Sequence, residues 1–270
     1  MSEPRILVTN DDGIESPGFR ALYEALEEVG DPVAVAPYSD QSAIGRARSF
    51  EATVHEYDLG YALEGTPVDC VIAGIESLCP DVDLVVAGCN KGANLGAYVM
   101  GRSGTVSAAV EAAFFDVPAI AVSQYVPTTP EQNFEEVNPT MEEYADACEA
   151  AAYLAENALD TGVFESADYL NVNAPAQDDV EGRPEMVVTE PSDLYAMSAE
   201  YDGDVLRLKD EVWQRMQSGD IPDETGTDRR AVVDGQISVS PLNAPHNVER
   251  HPRLDELAAA FDELVEPAED

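Results

Sequence analysis

Short apolar runs alternate with amphipathic stretches along most of the chain. Residues 5–9 (RILVT) form a greasy run that ends in NDDG and reads as a buried strand. Ser16-Pro17 then supplies an N-cap followed by a proline at the first helical position, which predicts a helix over 17–29. The alternation continues with a strand at 32–36 (PVAVA) and a half-exposed alternating strand in SFEATVHEY. Thr66-Pro67 opens a helix in GTPVDCVIAGIESL, and DLVVAG (83–88) is a buried strand. A helix at 104–115 (GTVSAAVEAAFF) and a strand at 118–123 (PAIAVS) follow. Asn138-Pro139 repeats the cap-plus-proline device before a long Ala-rich helix, and DYLNVNAP supplies the last strand of this run. Alternating strands and helices predict an α/β fold, a mostly parallel sheet covered on both faces.

Residues 177 to about 235 break the pattern. They are rich in Asp, Glu, Gly and Pro, with short β-like pieces such as EMVVTE and DVLRLK. They read as an arm or hairpin extension of one domain spanning 1–270, the alternative being a loosely ordered loop region. QISVSPL (236–242) predicts a returning strand and PRLDELAAAFDELV a closing helix.

Charge changes the picture most. There are 54 Asp plus Glu against 14 Lys plus Arg, a formal net charge of −40. A nucleic-acid partner requires cations to displace counterions, so this balance argues against one. The acids run through the whole chain and lysine is scarce, as expected of a protein from a high-salt cytoplasm that needs molar salt to stay folded. No stretch approaches the roughly 20 apolar residues of a membrane span, and the N-terminal apolar run is the first strand, not a signal segment. Cys70, Cys79, Cys89 and Cys148 lack CxxC spacing and read as buried thiols in a reducing compartment. The three histidines are too scattered for a His-based zinc site.

Asp11 and Asp12 are the first candidates for chemistry. They sit between a strand and a helix, at the sheet edge where ligands bind in open α/β folds. Two carboxylates about 4 Å apart repel by about 4 kcal/mol at an effective dielectric of 20, so a buried pair calls for a cation or a shared proton. Solvated loop acids in an acidic protein are the plainer alternative. Three other turns meet the same edge. APYSDQSAIGRARS offers Ser42, AGCNKGANLG places Asn90 at a strand exit, and GRSGTVSAA sets Ser103, Gly104 and Thr105 at a helix N-terminus, a ready anion site. Each also has a local reading: a loop polar, a turn residue, an ordinary cap. Two carboxylates, a hydroxyl and an amide carbonyl make an all-oxygen set that suits Mg²⁺ or Mn²⁺, and a hard metal beside an anion site points to phosphate chemistry.

The segments ILVTNDDGI, AP…QS…G, GTPVDCV, GCNKGANLG, RSGTVSAAVEAA and DGQISVSPL, in this order, resemble the SurE family of survival-protein nucleotidases. The resemblance implies a Rossmann-like three-layer sandwich with a C-terminal β-hairpin arm that exchanges between subunits of a homodimer or homotetramer. It implies one divalent ion, Mg²⁺ or Mn²⁺, per subunit on Asp11, Asp12, Ser42 and Asn90, and a phosphate pocket lined by Asn94, Ser103, Gly104 and Thr105. It also implies hydrolysis of nucleoside 5′- and 3′-monophosphates, with polyphosphate accepted by some members, and catalytic roles for Asp11 and Asp12. Three positions depart from the family pattern: Cys89 for an aliphatic residue, Ala43 for a glycine and Arg102 for an aromatic. A signalling receiver domain would need an acid, not Asn90, after DLVVAG, and a far shorter chain. A non-catalytic nucleotide sensor would keep the pocket and lose a metal ligand.

Overall fold

The structure is a computed structural model that describes residues 3–128, 134–177, 182–244, 252–254 and 257. The opening apolar run is β1 (Arg5–Thr9), and Ser16 caps α1 (Pro17–Glu27) by accepting from Phe19 N. The following strands are β2 (Asp31–Pro37), β3 (Val54–Tyr57), β4 (Gly60–Leu63) and β5 (Leu84–Lys91), then β6 (Ala119–Gln124) and β7 (Tyr169–Ala174). Helices α2 (Pro67–Ala73), α3 (Ala97–Met100), α4 (Gly104–Phe114) and α5 (Ala145–Asn157) fall between them. The C-terminal third adds β8 (Met186–Val188), β9 (Met197–Asp202), β10 (Val205–Asp210), α6 (Glu211–Ser218), α7 (Asp228–Val233) and β11 (Ile237–Leu242).

Nine strands make one sheet in the order β3-β4-β2-β1-β5-β6-β7-β11-β8. The run β4-β2-β1-β5-β6-β7 is parallel, with β3 antiparallel on β4 and β11 antiparallel on β7. Alternate residues of β1 point to opposite faces. Ile6 and Val8 therefore enter the core under α1 and α5, and Leu7 enters the core under α2 and α4. These are the three layers expected of an α/β sandwich.

The local signals act as physics requires. Thr66 and Asp69 form a capping box at α2. The second cap prediction shifts, however. Asn138 donates to Glu136 O, and Thr140 and Glu143 form the capping box instead, opening a 3₁₀ turn (Met141–Tyr144) that runs into α5. The Thr-x-x-Glu spacing satisfies two backbone donors reciprocally, which Asn138 cannot do. The strand predicted in SFEATVHEY shrinks to β3, because its partner β4 is only four residues long. The polar turn after β2 therefore leads to a hairpin, not directly to a helix.

The stretch 177–235 contains more structure than its composition predicts. β8 joins the edge of the main sheet beside β11, and α7 packs against β11. β9 and β10 form a separate two-stranded antiparallel ribbon. The closing helix predicted from Pro252 lies largely outside the described residues. Among the described residues no helix is long and apolar enough to cross a membrane, and all four cysteines are free and buried.

Candidate active site

Chain order reverses at β1: β2 and β4 lie on one side, β5 to β7 on the other. The crevice at the C-terminal ends of β1 and β5 is thus the topological switch point, where parallel sheets bind ligands. Asn10, Asp11 and Asp12 leave β1 at this edge. Asn10 organises the turn by donating to Gly13 O at 2.8 Å and Ser16 Oγ at 3.0 Å. Gly13 has φ 95° and packs so that an added Cβ would lie 3.2 Å from Ser39 C, which requires glycine here.

Asp11 is buried, and its carboxylate is gripped by the start of α4. Gly104 N donates to Oδ2 at 3.1 Å, and the Thr105 hydroxyl donates to Oδ1. Burial pushes the Asp11 carboxyl up, and the bonds from Thr105 and Gly104 partly offset that. A Cβ on residue 104 would come within 2.7 Å of Asp11 Cβ and 2.8 Å of Oδ2, so only glycine admits this approach. The sequence assigns Gly104 and Thr105 to phosphate. In the structure they hold Asp11, with the positive end of α4 aimed at its charge. Ser103 is the N-cap of α4, accepting from Val106 N at 3.0 Å.

Asp12 is half-buried and accepts Lys91 N at 2.8 Å. Burial first, then the Asp11 charge and the Asp40 charge, raise its carboxyl to about 7, against a partial lowering by Lys91. Asn90, next to Lys91, stands where the β5 ladder to β6 loses register between Ala87 and Asn90. Its Nδ2 donates to Gly92 O at 2.6 Å. That turns the amide nitrogen to the loop and leaves Oδ1 as the side-chain atom available to a cation.

Ser42 lies on the exposed loop after β2. The loop is tied to the site by Gln41 N donating to Asp11 O at 2.7 Å, while Ser42 N donates to Asp40 Oδ1 at 2.7 Å. Ala43, which stands where the family pattern has glycine, has φ 58°. It therefore holds a left-handed conformation that a side chain disfavours by about 1–2 kcal/mol.

Asn94 is buried within a polar network. Its Nδ2 donates to Ser123 Oγ, its N–H donates to Asn173 Oδ1, and its carbonyl accepts from Asn171 and Asn173. Asn171 and Asn173 share one face of β7, a signal visible in the alternation LNVN. Other groups were not legible from sequence. Asp228, at the start of α7, accepts Gly96 N at 2.6 Å and Ser192 N at 2.9 Å. The fully buried Arg229 donates to Leu194 O at 2.9 Å and lies 5.3 Å above the Tyr98 ring. Together they clamp the loop that runs from Asn94 to Ser103. One acid among 54 gives no sequence signal of that role.

Among the described residues no three His, Cys, Asp or Glu side chains cluster. The candidate set is two carboxylates, one hydroxyl and one amide oxygen. Asp11, buried, and Asp12, half-buried, fit a hard cation because they are adjacent like charges and neither is in an ion pair with a cationic side chain among the described residues. The Lys91 ammonium is directed away, to Phe134 O and Val137 O.

These features define a Rossmann-like α/β protein with an acidic candidate site at the sheet's switch point. The family model described as Survival protein SurE matches residues 6–195, and the chain belongs to the SurE family. It is 61% identical over 262 residues to a protein named 5′-nucleotidase SurE from Haloarcula marismortui, with 97% of each chain covered. It is 57% identical to the protein of the same name from Haloquadratum walsbyi, over 97% of this chain and 98% of that one. A crystal structure of SurE protein from Aquifex aeolicus superposes with a TM-score of 0.73 at 28% identity, covering 96% of this chain and 100% of that one.

Proposed function

We propose that this chain hydrolyses nucleoside 5′-monophosphates, and 3′-monophosphates as a second class, to nucleoside and phosphate. The observation that carries the reading is the Asp11–Asp12 pair at the switch point, with Asp12 raised to about 7 by burial and by its neighbour. The names of the relatives support the same reaction. Asp11, Asp12, Ser42 and Asn90 would hold one Mg²⁺ or Mn²⁺ ion. When bound, that ion supplies positive charge to the phosphoryl oxygens and a more acidic water.

The chain's own groups supply the rest. Asp12 orients the attacking water in line with the bond to the leaving oxygen. That phosphorus–oxygen bond breaks as the bond from water forms, and the proton that the water gives up passes by way of the Asp12 carboxylate to the nucleoside oxygen, which leaves as the hydroxyl. Ser103 accepts from Val106 N, so its hydroxyl proton is left to donate to phosphate. One Asn94 N–H is spent on Ser123, and the second serves the phosphate. The Thr105 hydroxyl and Gly104 N–H hold the Asp11 carboxylate in place.

The active form is proposed as a homodimer or homotetramer. On the β9–β10 ribbon, Leu206 pairs with Tyr201 and Leu208 with Ala199, so these four share one face. Leu206 is 59% exposed, Leu208 68% and Tyr201 75%, and a second copy would cover them. Free, buried thiols fit a cytoplasmic setting.

Phosphate release from a panel of nucleoside monophosphates in molar KCl, with Mn²⁺, Mg²⁺ or EDTA, tests the proposal. Release that needs metal and disappears in Asp11→Asn supports it. Folded protein that binds nucleotide without turnover under any metal would leave a sensor in its place.

A further inference from the structure

A cavity of about 280 Å³ opens beside the loop that carries Ser42, lined by Tyr38, Ser39, Gln41, Ser49, Glu64, Gly65 and Thr66. It sits at the same sheet edge as the carboxylates, between the exits of β2 and β4. Its wall is continuous with the site. Gln41 N donates to Asp11 O at 2.7 Å, and Gly13 packs against Ser39. β1, β2 and β4 are consecutive in the sheet, so the β4 exit lies two strand spacings, roughly 10 Å, from the β1 exit. A nucleotide spans that distance between its phosphate and its base.

The lining has the chemistry of a base site. Tyr38 is 61% exposed, and its ring stands 5.3 Å from the His55 ring at 47°, which leaves an aromatic surface for stacking. Glu64 is at the rim. His55 Nε2 lies 2.9 Å from its Oε1, and among the described residues no other side chain bonds this carboxylate. The floor is Gly65 and Thr66, where a Cβ on Gly65 would come within 3.0 Å of Asp69 Oδ2 and 3.3 Å of Ala52 Cβ. Thr66 and Asp69 are held by the α2 capping box, so the floor is rigid.

We propose that this cavity is the nucleobase subsite, in which Tyr38 stacks on the base and Glu64 accepts its N–H groups, and that it favours guanine. Guanine presents a ring N–H and an amino group side by side, which match the paired acceptors of a carboxylate. Hypoxanthine keeps the ring N–H and lacks the amino group. The inference rests on the nucleotidase reading and assigns the part of the substrate which that reading leaves open.

The test is steady-state kinetics in molar KCl with Mn²⁺, using GMP, IMP and ribose 5-phosphate, which keeps the sugar and phosphate without a base. Wild-type kcat/KM should favour GMP over IMP roughly tenfold, the worth of one hydrogen bond to a charged group. Glu64→Gln should bring the GMP to IMP ratio close to one. Tyr38→Ala should lower the ratio of GMP to ribose 5-phosphate by roughly tenfold through KM, the scale of one base–aromatic stack, and Tyr38→Phe should restore it. If wild type cleaves all three esters and neither ratio moves in these variants, the base subsite is refuted while the nucleotidase reading stands. If wild type releases phosphate from none of them, the nucleotidase reading itself fails, and the subsite with it.

Discussion

Replacing Asp12 by Asn removes one charge from the buried pair and keeps an oxygen to accept Lys91 N–H. In the fold the Asp12 carboxyl is raised from 3.8 to about 7, chiefly by burial and by Asp11. Its folded affinity for a proton thus exceeds the unfolded one by about three powers of ten, which is roughly 4 kcal/mol. The side chain is half-buried, so solvent screening brings this to roughly 2–4 kcal/mol. Because the folded value lies above the unfolded one, the contribution favours the fold below about pH 4. It is lost as pH rises through about 7. Metal-free wild type therefore carries a penalty at neutral pH that Asp12→Asn does not. The assay is urea unfolding in molar KCl with EDTA, at about pH 5 and about pH 8. Both proteins share every other surface acid, so that background cancels in the difference. Asp12→Asn should be more stable than wild type by roughly 2–4 kcal/mol at the higher pH, and the gap should narrow at the lower. Mn²⁺ should stabilise wild type far more than the variant, since ligand binding to the fold adds to stability by mass action. A variant equal to or weaker than wild type at both pH values would refute the reasoning, because the pair would then carry no uncompensated charge.

Gly104→Ala forces a Cβ to within 2.7 Å of Asp11 Cβ. Thermal unfolding should show a loss of roughly 1–3 kcal/mol, and metal-dependent phosphate release should fall with it as Asp11 is displaced. Leu206→Lys together with Leu208→Glu puts charge on the apolar face of the β9–β10 ribbon. Light scattering in molar KCl should then report a smaller assembly than wild type, and an unchanged mass would remove the ribbon from the interface.

Much of the fold is written in local signals. β1, β5 and β6 carry apolar runs buried on both faces, and their alternation with helices identifies parallel strands. Ser16 and Thr66 cap the helices predicted from them because a side-chain oxygen next to a proline needs no distant partner. Asp11, Asp12 and Asn90 were legible because each directly follows an apolar run, where a parallel sheet gathers its turns. The acidity was legible too, since net charge is a property of composition.

Tertiary structure decided what depends on contacts across the chain. No local pattern reveals that Gly104 and Thr105 hold Asp11, because the residues are more than 90 positions apart and only the sheet order sets α4 beside β1. The same holds for Asp228 and Arg229, which clamp a loop 132 residues away. β4, α6 and α7 are short, and their polar and apolar positions do not repeat enough to be read. Even the proton affinity of Asp12 belongs to this second group. The sequence supplies two adjacent carboxylates, and only burial beside each other raises both above the ordinary carboxylate range.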